Sequence, residues 1–258
     1  MTKDAASSKF EIKWWAGELN HRLFYYTDMN AHNFWIDKVN QLKENLKGSI
    51  DSFATWDCVS STMIAPDTKF ILNMWENIKN DERLLKIKEV NFGNIPRISK
   101  DYSSNLIQGL YQISVLERVL KNVSKFDTVI EFGGGFGNMR RLFWELGHCG
   151  RYIIYDFPEF NSLQEKFLTR CGINNTEYCN DVSKLERPDL LISFYGISEA
   201  PYDLRDKFFN LKPSNTFVCF GPKFEDIDNI NYFSKIDNDD IFIDTSVRTD
   251  TYFLYKRK

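Results

Sequence analysis

The chain has 258 residues, a formal net charge of −3 and 43% hydrophobic residues. This length suffices for one large α/β domain with an appended region, and the composition is that of an ordinary globular protein. The slightly acidic balance excludes a broad basic surface, so no nucleic-acid partner is expected, and no apolar run reaches membrane-spanning length.

The cysteine and histidine content gives no recognisable metal site. Five cysteines are scattered along the chain without a C-x-x-C pair, and there are three histidines. No zinc-binding pattern results, so we predict no metal. An odd number of cysteines without a signal peptide indicates a reducing compartment, and we expect a cytoplasmic protein.

The first hundred residues predict a helical region. Apolar residues recur on one helix face in residues 31–47, and again in the segment that Pro66 opens. Residues 49–65 between them predict an irregular link. A further helix, with Asp101 as its cap, is predicted over residues 101–121. We place a domain boundary near residue 98.

Residues 1–98 would then form a helical cap, lid or oligomerisation region, and residues 99–258 an α/β domain. Short apolar strands alternate with helices in this second part, and the chain ends in a strand pair. The strands are predicted at 128–132, 152–155, 190–195, 216–221, 241–246 and 251–255, and a weak third strand is predicted to end near residues 178–181. This alternation predicts a Rossmann-like, doubly wound sheet of seven strands, mostly parallel with an antiparallel C-terminal hairpin.

The first of these strands runs directly into a glycine turn. Gly133, Gly134, Gly135 and Gly137 lie between this strand and a helix. Glycine suits a turn with positive φ and lets a ligand approach the backbone, and a helix N-terminus offers free N–H groups. Asp156, at the end of the next strand, could accept hydrogen bonds from both hydroxyls of a ribose. Together these features predict a nucleoside-cofactor site.

The motif resembles that of a known enzyme class. The spacing G-x-G-x-G, with Glu131 two residues before the first glycine, resembles motif I of the class I S-adenosylmethionine (SAM) methyltransferases rather than the G-x-G-x-x-G dinucleotide fingerprint. The runs VIEFGGGFGN (129–138) and YIIYDFPE (152–159) more narrowly resemble the bacterial sugar O-methyltransferase family. In that family a VLEIGGGYG-like run is followed by a YxxxDLPE-like run.

The resemblance covers roughly residue 99 to the C-terminus and implies SAM-dependent methyl transfer. The acceptor would be a hydroxyl of a sugar in a nucleotide-sugar or polysaccharide pathway, and the cofactor product would be S-adenosyl-L-homocysteine. Flat aromatic rings, 16% of the chain, would stack on sugar faces, although most rings are expected to pack the core.

The same resemblance implies a role for each cofactor residue. Glu131 would hold the methionine end, Asp156 the ribose, and Phe157 would stack on adenine. Asp181, near the end of the third strand, would meet the adenine amino group, with Asn180 or Val182 as alternatives. The complete set of cofactor residues is Glu131, Phe132, Gly133, Gly134, Gly135, Gly137, Asp156, Phe157 and Asp181.

Glu199 is the candidate catalytic residue. It follows the fourth strand, where the mouth of such a fold opens, and residues 192–201 resemble an SxxSE stretch of the sugar O-methyltransferases. Glu199 would orient the acceptor or take its proton, and a helix-capping role is equally open. The other candidate bases are Asp57, Asp67, His21 and His32; His148 is expected to be structural.

Three other functions stay open on the sequence. The chain could be a class I methyltransferase acting on a small molecule that is not a sugar, or a non-catalytic SAM-binding subunit. An NAD-type oxidoreductase is disfavoured by the glycine spacing. The expected partner is a small-molecule or glycan acceptor, and homo-oligomer formation is left open.

Overall fold

The computed structural model describes residues 31–66, 69–236, 240–243 and 251–256. The described strands are β1 (Thr128–Phe132), β2 (Arg151–Tyr155), β3 (Thr176–Cys179), β4 (Leu190–Phe194), β5 (Asn215–Phe220), β6 (Lys223–Phe224), β7 (Ile227–Asp228), β8 (Asp240–Ile243) and β9 (Tyr252–Lys256).

One sheet of seven strands carries the fold, in the order β3-β2-β1-β4-β5-β9-β8. Strands β1 to β5 are parallel, whereas β9 runs antiparallel to β5 and β8 antiparallel to β9. Strand order reverses direction between β1 and β4, which creates a crevice at the carboxyl ends of these strands. The predicted doubly wound, mostly parallel fold with an antiparallel C-terminal end is confirmed.

Helices cover both faces of this sheet. They are α1 (Ala31–Asn45), α2 (Asp57–Ser60), α3 (Lys69–Ile78), α4 (Glu82–Leu85), α5 (Ser104–Val119), α6 (Asn138–Glu145), α7 (Pro158–Arg170), α8 (Tyr202–Phe209) and α9 (Asn229–Phe233). Within the described ranges, none of them has the length and apolar character needed to cross a bilayer.

The strand residues alternate between two hydrophobic cores, as the period of two in a β-strand requires. Val129 and Ile154 belong to the core that contains residues of α5, α6 and α7. Ile130 and Ile153, one position along each strand, belong to the core that contains Phe208 of α8 and residues of α9. Burial on both faces explains why the central strands read as continuous apolar runs.

The N-terminal region packs into the first of these cores. The ring of Phe53 is fully buried, 5.1 Å from the Phe136 ring in the glycine loop and 5.7 Å from the Phe167 ring in α7. One continuous cluster therefore joins the described part of residues 31–98 to the sheet. The boundary near residue 98 stays a prediction.

Two local predictions are corrected. Residues 49–65 are only partly an irregular link: Ile50–Thr55 form a 3-10 helix and α2 follows it, whereas residues 61–65 form turns and coil. Helix α5 is capped by Ser103, whose hydroxyl accepts a 3.0 Å hydrogen bond from the Leu106 N–H, and not by Asp101. The predicted helices after Ala31 and Pro66 are present as α1 and α3.

Replacing Gly93 tests the packing of the Phe53 ring, through which the N-terminal region contacts Phe136 and Phe167. Gly93 has φ +83°, and a Cβ there would lie 2.2 Å from the Phe53 ring. We expect Gly93→Ala to lower the free energy of unfolding by about 3 kcal/mol, from backbone strain plus the displaced ring. Urea unfolding measures this loss.

The matched control is Gly172→Ala, because Gly172 has φ +79° but open space around its Cβ position. Backbone strain alone should cost this variant about 1 kcal/mol. Equal losses in the two variants would mean that the Phe53 ring does not fill the space beside Gly93.

Candidate active site

A cavity of about 820 Å³ opens at the carboxyl ends of β1, β2 and β4. Its wall is formed by the glycine loop after β1, the ends of β2 and β4, Trp35 of α1 and residues 61–66. Of the predicted cofactor residues, the following line it: Glu131, Phe132, Gly133, Gly134, Gly135, Asp156 and Phe157. The sequence motif and the cavity therefore coincide.

The glycine loop turns through the left-handed region, as the alternating glycines predict. Gly133, Gly135 and Gly137 have φ values of +75°, +56° and +97°. A Cβ on Gly133 would lie 3.1 Å from the Gly196 Cα, so this glycine allows two loops to touch. A Cβ on Gly135 would meet only Met63, at 3.9 Å, which leaves open cavity in front of this residue.

Gly137 has a structural role instead of lining the cavity. It is the N-cap of α6, and a Cβ there would lie 3.2 Å from Leu168 of α7. Position 137 requires glycine because the turn has a positive φ and because α6 and α7 pack closely there. Gly137 therefore lies outside the cavity wall, and its assignment to the cofactor site stays a prediction.

Asp156 is tied to the glycine loop. Its Oδ2 accepts hydrogen bonds from the Gly134 N–H (3.0 Å) and from Gln164 Nε2 (2.8 Å), and its Oδ1 accepts one from the Phe157 N–H (2.9 Å). A carboxylate has about four acceptor positions, so Oδ1 keeps one. Burial raises the pKa of Asp156 to about 7, although these three donors favour the charged form.

Gln164 also joins the glycine loop to Asp156, and the sequence motifs did not point to this residue. Its amide is fully buried and also donates a 3.0 Å hydrogen bond to the Gly135 carbonyl. One side chain of α7 thus holds both the ribose-site acid and the loop. A signal was present, because Phe160, Gln164 and Phe167 occupy one face of a helix, where a polar residue is unusual.

Glu131 is buried at the end of β1. The Tyr152 hydroxyl donates a 2.8 Å hydrogen bond to its Oε2, and the residue forms part of the cavity wall. Burial is the main reason that the pKa of Glu131 is raised to about 8; the charge of Asp156 also favours the protonated form, whereas Tyr152 and Arg140 favour the charged form. A carboxyl group that is costly to ionise here would become charged most readily beside a cation.

The residues predicted for the adenine side of the site differ in their position relative to the cavity. Phe157 lines the cavity and remains 38% exposed, so its ring is available for stacking. Asp181 does not line the cavity; its carboxylate accepts hydrogen bonds from the Ser183 N–H (3.0 Å) and hydroxyl (2.7 Å) and caps a 3-10 turn. Because β3 ends at Cys179, the residue on the cavity wall is Asn180.

Glu199 lies on the opposite wall, in the 3-10 turn after β4. The Trp35 indole N–H of α1 donates a hydrogen bond to its carboxylate. Burial raises the pKa of Glu199 to about 7, while Trp35 and the charge of Arg205 favour ionisation. A carboxyl group with a pKa near neutrality, facing a cavity, suits proton transfer.

Of the other candidate bases, Asp57 lies away from the cavity and the side chains of the rest lie outside the described residues. Asp57 is 79% exposed, forms an ion pair with Lys38 (3.2 Å) and does not line the cavity. His148 is fully buried against the rings of Phe143 and Tyr152, as expected for a structural histidine. His21, Asp67 and the His32 side chain lie outside the described residues.

Tyr195 is a cavity residue that the sequence did not reveal. It has φ +74° and ψ −39°, a conformation that is uncommon for a residue with a side chain and is often found at functional sites. Its backbone N–H donates a 2.7 Å hydrogen bond to the Cys219 carbonyl, which holds the turn on β5. Across the described part of the chain, no group of three or more His, Cys, Asp or Glu side chains is placed to hold a metal ion.

Comparison with solved structures returns remote methyltransferase structures. A ribosomal protein L11 methylase from Lactobacillus delbrueckii subsp. bulgaricus is 15% identical, with 68% of this chain and 92% of that chain covered and a TM-score of 0.45. A SAM-dependent methyltransferase from Aquifex aeolicus is 14% identical, with 56% and 87% covered and a TM-score of 0.44.

A third structure, a methyltransferase from Podospora anserina bound to S-adenosylhomocysteine (SAH), is 11% identical, with 75% and 89% covered and a TM-score of 0.41. No family model and no curated protein sequence matches the chain. Similarities this remote carry nothing about cofactor or acceptor, which have to be inferred from the site itself.

Replacing Glu131 tests the burial of its charge. Its folded-state pKa of about 8 lies above the ordinary 4.5, so between these values the folded protein keeps a proton that the unfolded chain has released. Stability should therefore fall as pH rises. We expect the free energy of unfolding of the native protein, measured in urea relative to Glu131→Gln, to fall by about 1 kcal/mol per unit between pH 5.5 and 7.5.

The control is Glu76→Gln, which removes a 60% exposed carboxyl group paired with Lys79. This variant should follow the native pH dependence. Parallel curves for the native protein and Glu131→Gln would mean that Glu131 ionises freely in the fold.

Proposed function

We propose that the chain is a SAM-dependent methyltransferase whose cofactor occupies the cavity beside the glycine loop. The observation that carries this proposal is electrostatic. Glu131, Asp156 and Glu199 line one cavity, and burial raises the pKa of each. Such a site favours a cationic ligand, and SAM combines a sulfonium and an ammonium with a nucleoside.

The residues present fit this cofactor. Gly135 leaves the space that a nucleoside needs against the backbone, since only Met63 comes within 4 Å of its Cβ position. Asp156 keeps one acceptor position on Oδ1 for a ribose hydroxyl. Phe157 and Asn180 would supply an aromatic face and an amide for the base, and Glu131 would hold the charged methionine end.

The same charges disfavour a dinucleotide. The pyrophosphate of NAD would have to lie on the glycine loop between Glu131 and Asp156, where its negative charge is repelled. The G-x-G-x-G spacing points the same way.

Methyl transfer requires the protein to align the methyl group with the acceptor hydroxyl and to accept one proton. When bound, SAM supplies a methyl group on a positively charged sulfur that is ready for in-line displacement. Glu199 accepts the proton of the acceptor hydroxyl as that oxygen becomes the nucleophile. Trp35 orients the Glu199 carboxylate and, with Phe160 at a ring distance of 5.8 Å, shields this side of the cavity from water.

The acceptor that suits the remaining wall is a neutral, polyhydroxylated molecule such as a sugar. Asn105, Gln108 and Gln112 provide amide donors and acceptors, and Trp35 and Phe194 provide flat apolar rings. Acidic groups outnumber the cation Lys207 on the wall, which disfavours phosphate groups and thus nucleic acid or a nucleotide sugar. A saccharide without phosphate is the acceptor that this site favours.

Cofactor binding is tested by calorimetry with SAH. We expect binding in the micromolar range or tighter, and a loss of about 10-fold or more in Gly135→Ala because the new methyl group enters the cofactor space. Gly172→Ala, with a similar backbone conformation at φ +79° but away from the cavity, is the matched control and should bind normally. Undetectable SAH binding to the native protein, or tight NADH binding, would reject the proposal.

Methyl transfer is tested with radiolabelled SAM and a panel of neutral sugars, sugar phosphates and phenols. We expect a neutral sugar to be methylated, at a rate that rises with pH through about 7 as Glu199 ionises. Glu199→Gln should lose about 100-fold or more in rate. Asp57→Asn, which alters an exposed carboxyl group away from the cavity, should keep the native rate.

Preference for phenols would move the acceptor away from sugars. A Glu199→Gln variant with native rate would remove Glu199 as the base. SAH binding without transfer to any acceptor would favour the non-catalytic subunit.

A further inference from the structure

A buried arginine outside the cavity contacts the backbone on both sides of Glu199. Arg205, in α8, is fully buried and does not line the cavity wall. Its guanidinium donates hydrogen bonds to the carbonyl oxygens of Ala200 (2.7 Å) and Ser198. These two residues flank Glu199 in the chain, so one planar group fixes the backbone on both sides of it.

The guanidinium is itself firmly held. Its third contact is the Asn229 Oδ1, at 2.8 Å, and the Asn229 amide donates a 3.0 Å hydrogen bond to the Gly221 carbonyl just after β5. The rings of Tyr202 and Tyr232 lie 5.2 and 5.0 Å from the guanidinium carbon. Cation–π contacts and charge-assisted hydrogen bonds offset the cost of burying this cation.

Trp35 meets the carboxylate from the other side. It belongs to α1, and its indole N–H donates to the Glu199 carboxylate while its ring packs edge-on against Phe160 of α7, at 81°. Helix α1 therefore contacts the Glu199 carboxylate itself, whereas α8 contacts the backbone of the residues on both sides of Glu199.

We propose that Arg205 is a positioning residue that holds residues 198–200 so that the Glu199 carboxylate faces the cavity and meets the Trp35 indole. The role rests on the proposed function, in which Glu199 takes the acceptor proton. A lysine could keep the charge but not the planar fork that binds two carbonyl groups at once. Arg205 therefore acts through geometry rather than through charge alone.

Other charges near the carboxylate have to be counted in any titration. On α8 these are Asp203 and Lys207, besides Arg205 itself; across the cavity they are Glu131 and Asp156. The tyrosines on the wall are Tyr155 and Tyr195. The substitution of Arg205 by lysine leaves all of them in place.

The test uses the indole N–H signal of Trp35 in protein labelled with ¹⁵N-tryptophan. The chain has six tryptophans, and Trp35→Phe identifies the signal. In the native protein we expect this signal to shift with pH, with a midpoint near 7. Glu199→Gln should abolish the shift, because the hydrogen-bond acceptor no longer ionises.

Arg205→Lys should also abolish the shift, since the carboxylate then leaves the indole. Arg151→Lys is the matched control, because Arg151 forms a similar forked contact, with Glu177, away from the cavity. It should keep the native titration. If Arg205→Lys fails to fold, as judged by circular dichroism, Asn229→Ala removes one support of the guanidinium, and its Trp35 shift should fall below the native amplitude.

A native Trp35 titration in Arg205→Lys, or in a folded Asn229→Ala variant when Arg205→Lys does not fold, would overturn the proposal. So would a Trp35 signal that Glu199→Gln leaves unchanged. The measurement needs no cofactor or acceptor, so its outcome is independent of SAH binding. Failure of SAH binding with the titration intact would reject the proposed function but not the positioning of Glu199.

Discussion

The two hydrogen bonds that Asp156 Oδ2 accepts, from the Gly134 N–H at 3.0 Å and from Gln164 at 2.8 Å, hold the whole site together. They join the end of β2 to the loop after β1 and to the core face of α7. They add to the packing of Phe136 against Phe53 and Phe167 and to the 2.9 Å hydrogen bond from the Gly133 N–H to the Tyr155 carbonyl, and among the described residues they alone join the Asp156 carboxylate to the loop. The cavity, the space in front of Gly135 and the remaining acceptor on Asp156 all follow from this connection.

The second constraint is the number of carboxyl groups. Glu131, Asp156 and Glu199 line one cavity, and burial raises the pKa of each into the range of about 7 to 8. Ionising three buried carboxyl groups in one cavity destabilises the fold unless a cation balances their negative charge. A sulfonium nucleoside supplies that balance, and a phosphate-containing ligand worsens the imbalance. The charges in the cavity therefore restrict the class of ligand that it favours more than its shape does.

Much of this site could be found from the sequence because it is built by local chain geometry. Alternating glycines after an apolar strand predict a left-handed loop, and an acid at the end of the next parallel strand must lie beside it. Glu199 follows the same logic after β4. These positions depend on strand ends, which a pattern of apolar residues marks well.

The remainder depends on register and on contacts distant in sequence. Strand β3 contains only Thr-Glu-Tyr-Cys, with no clear apolar run, so the sequence places its end only within residues 178–181 and does not decide between Asn180 and Asp181. Trp35 belongs to an apolar helix stripe that looks the same whether it packs in a core or covers a cavity. Residues 61–66 show no periodicity at all, and the division at residue 98 does not interrupt the continuous core around Phe53.

A crystal structure of the protein grown with saturating SAH is the most direct test of the central claim, that this loop and Asp156 hold a sulfonium nucleoside. We expect the adenosine in the cavity, a ribose hydroxyl about 2.7 Å from Asp156 Oδ1, and the sulfur open towards Glu199. A cavity without SAH, or SAH bound with Asp156 still directed only at Gly134, Gln164 and Phe157, would contradict the account.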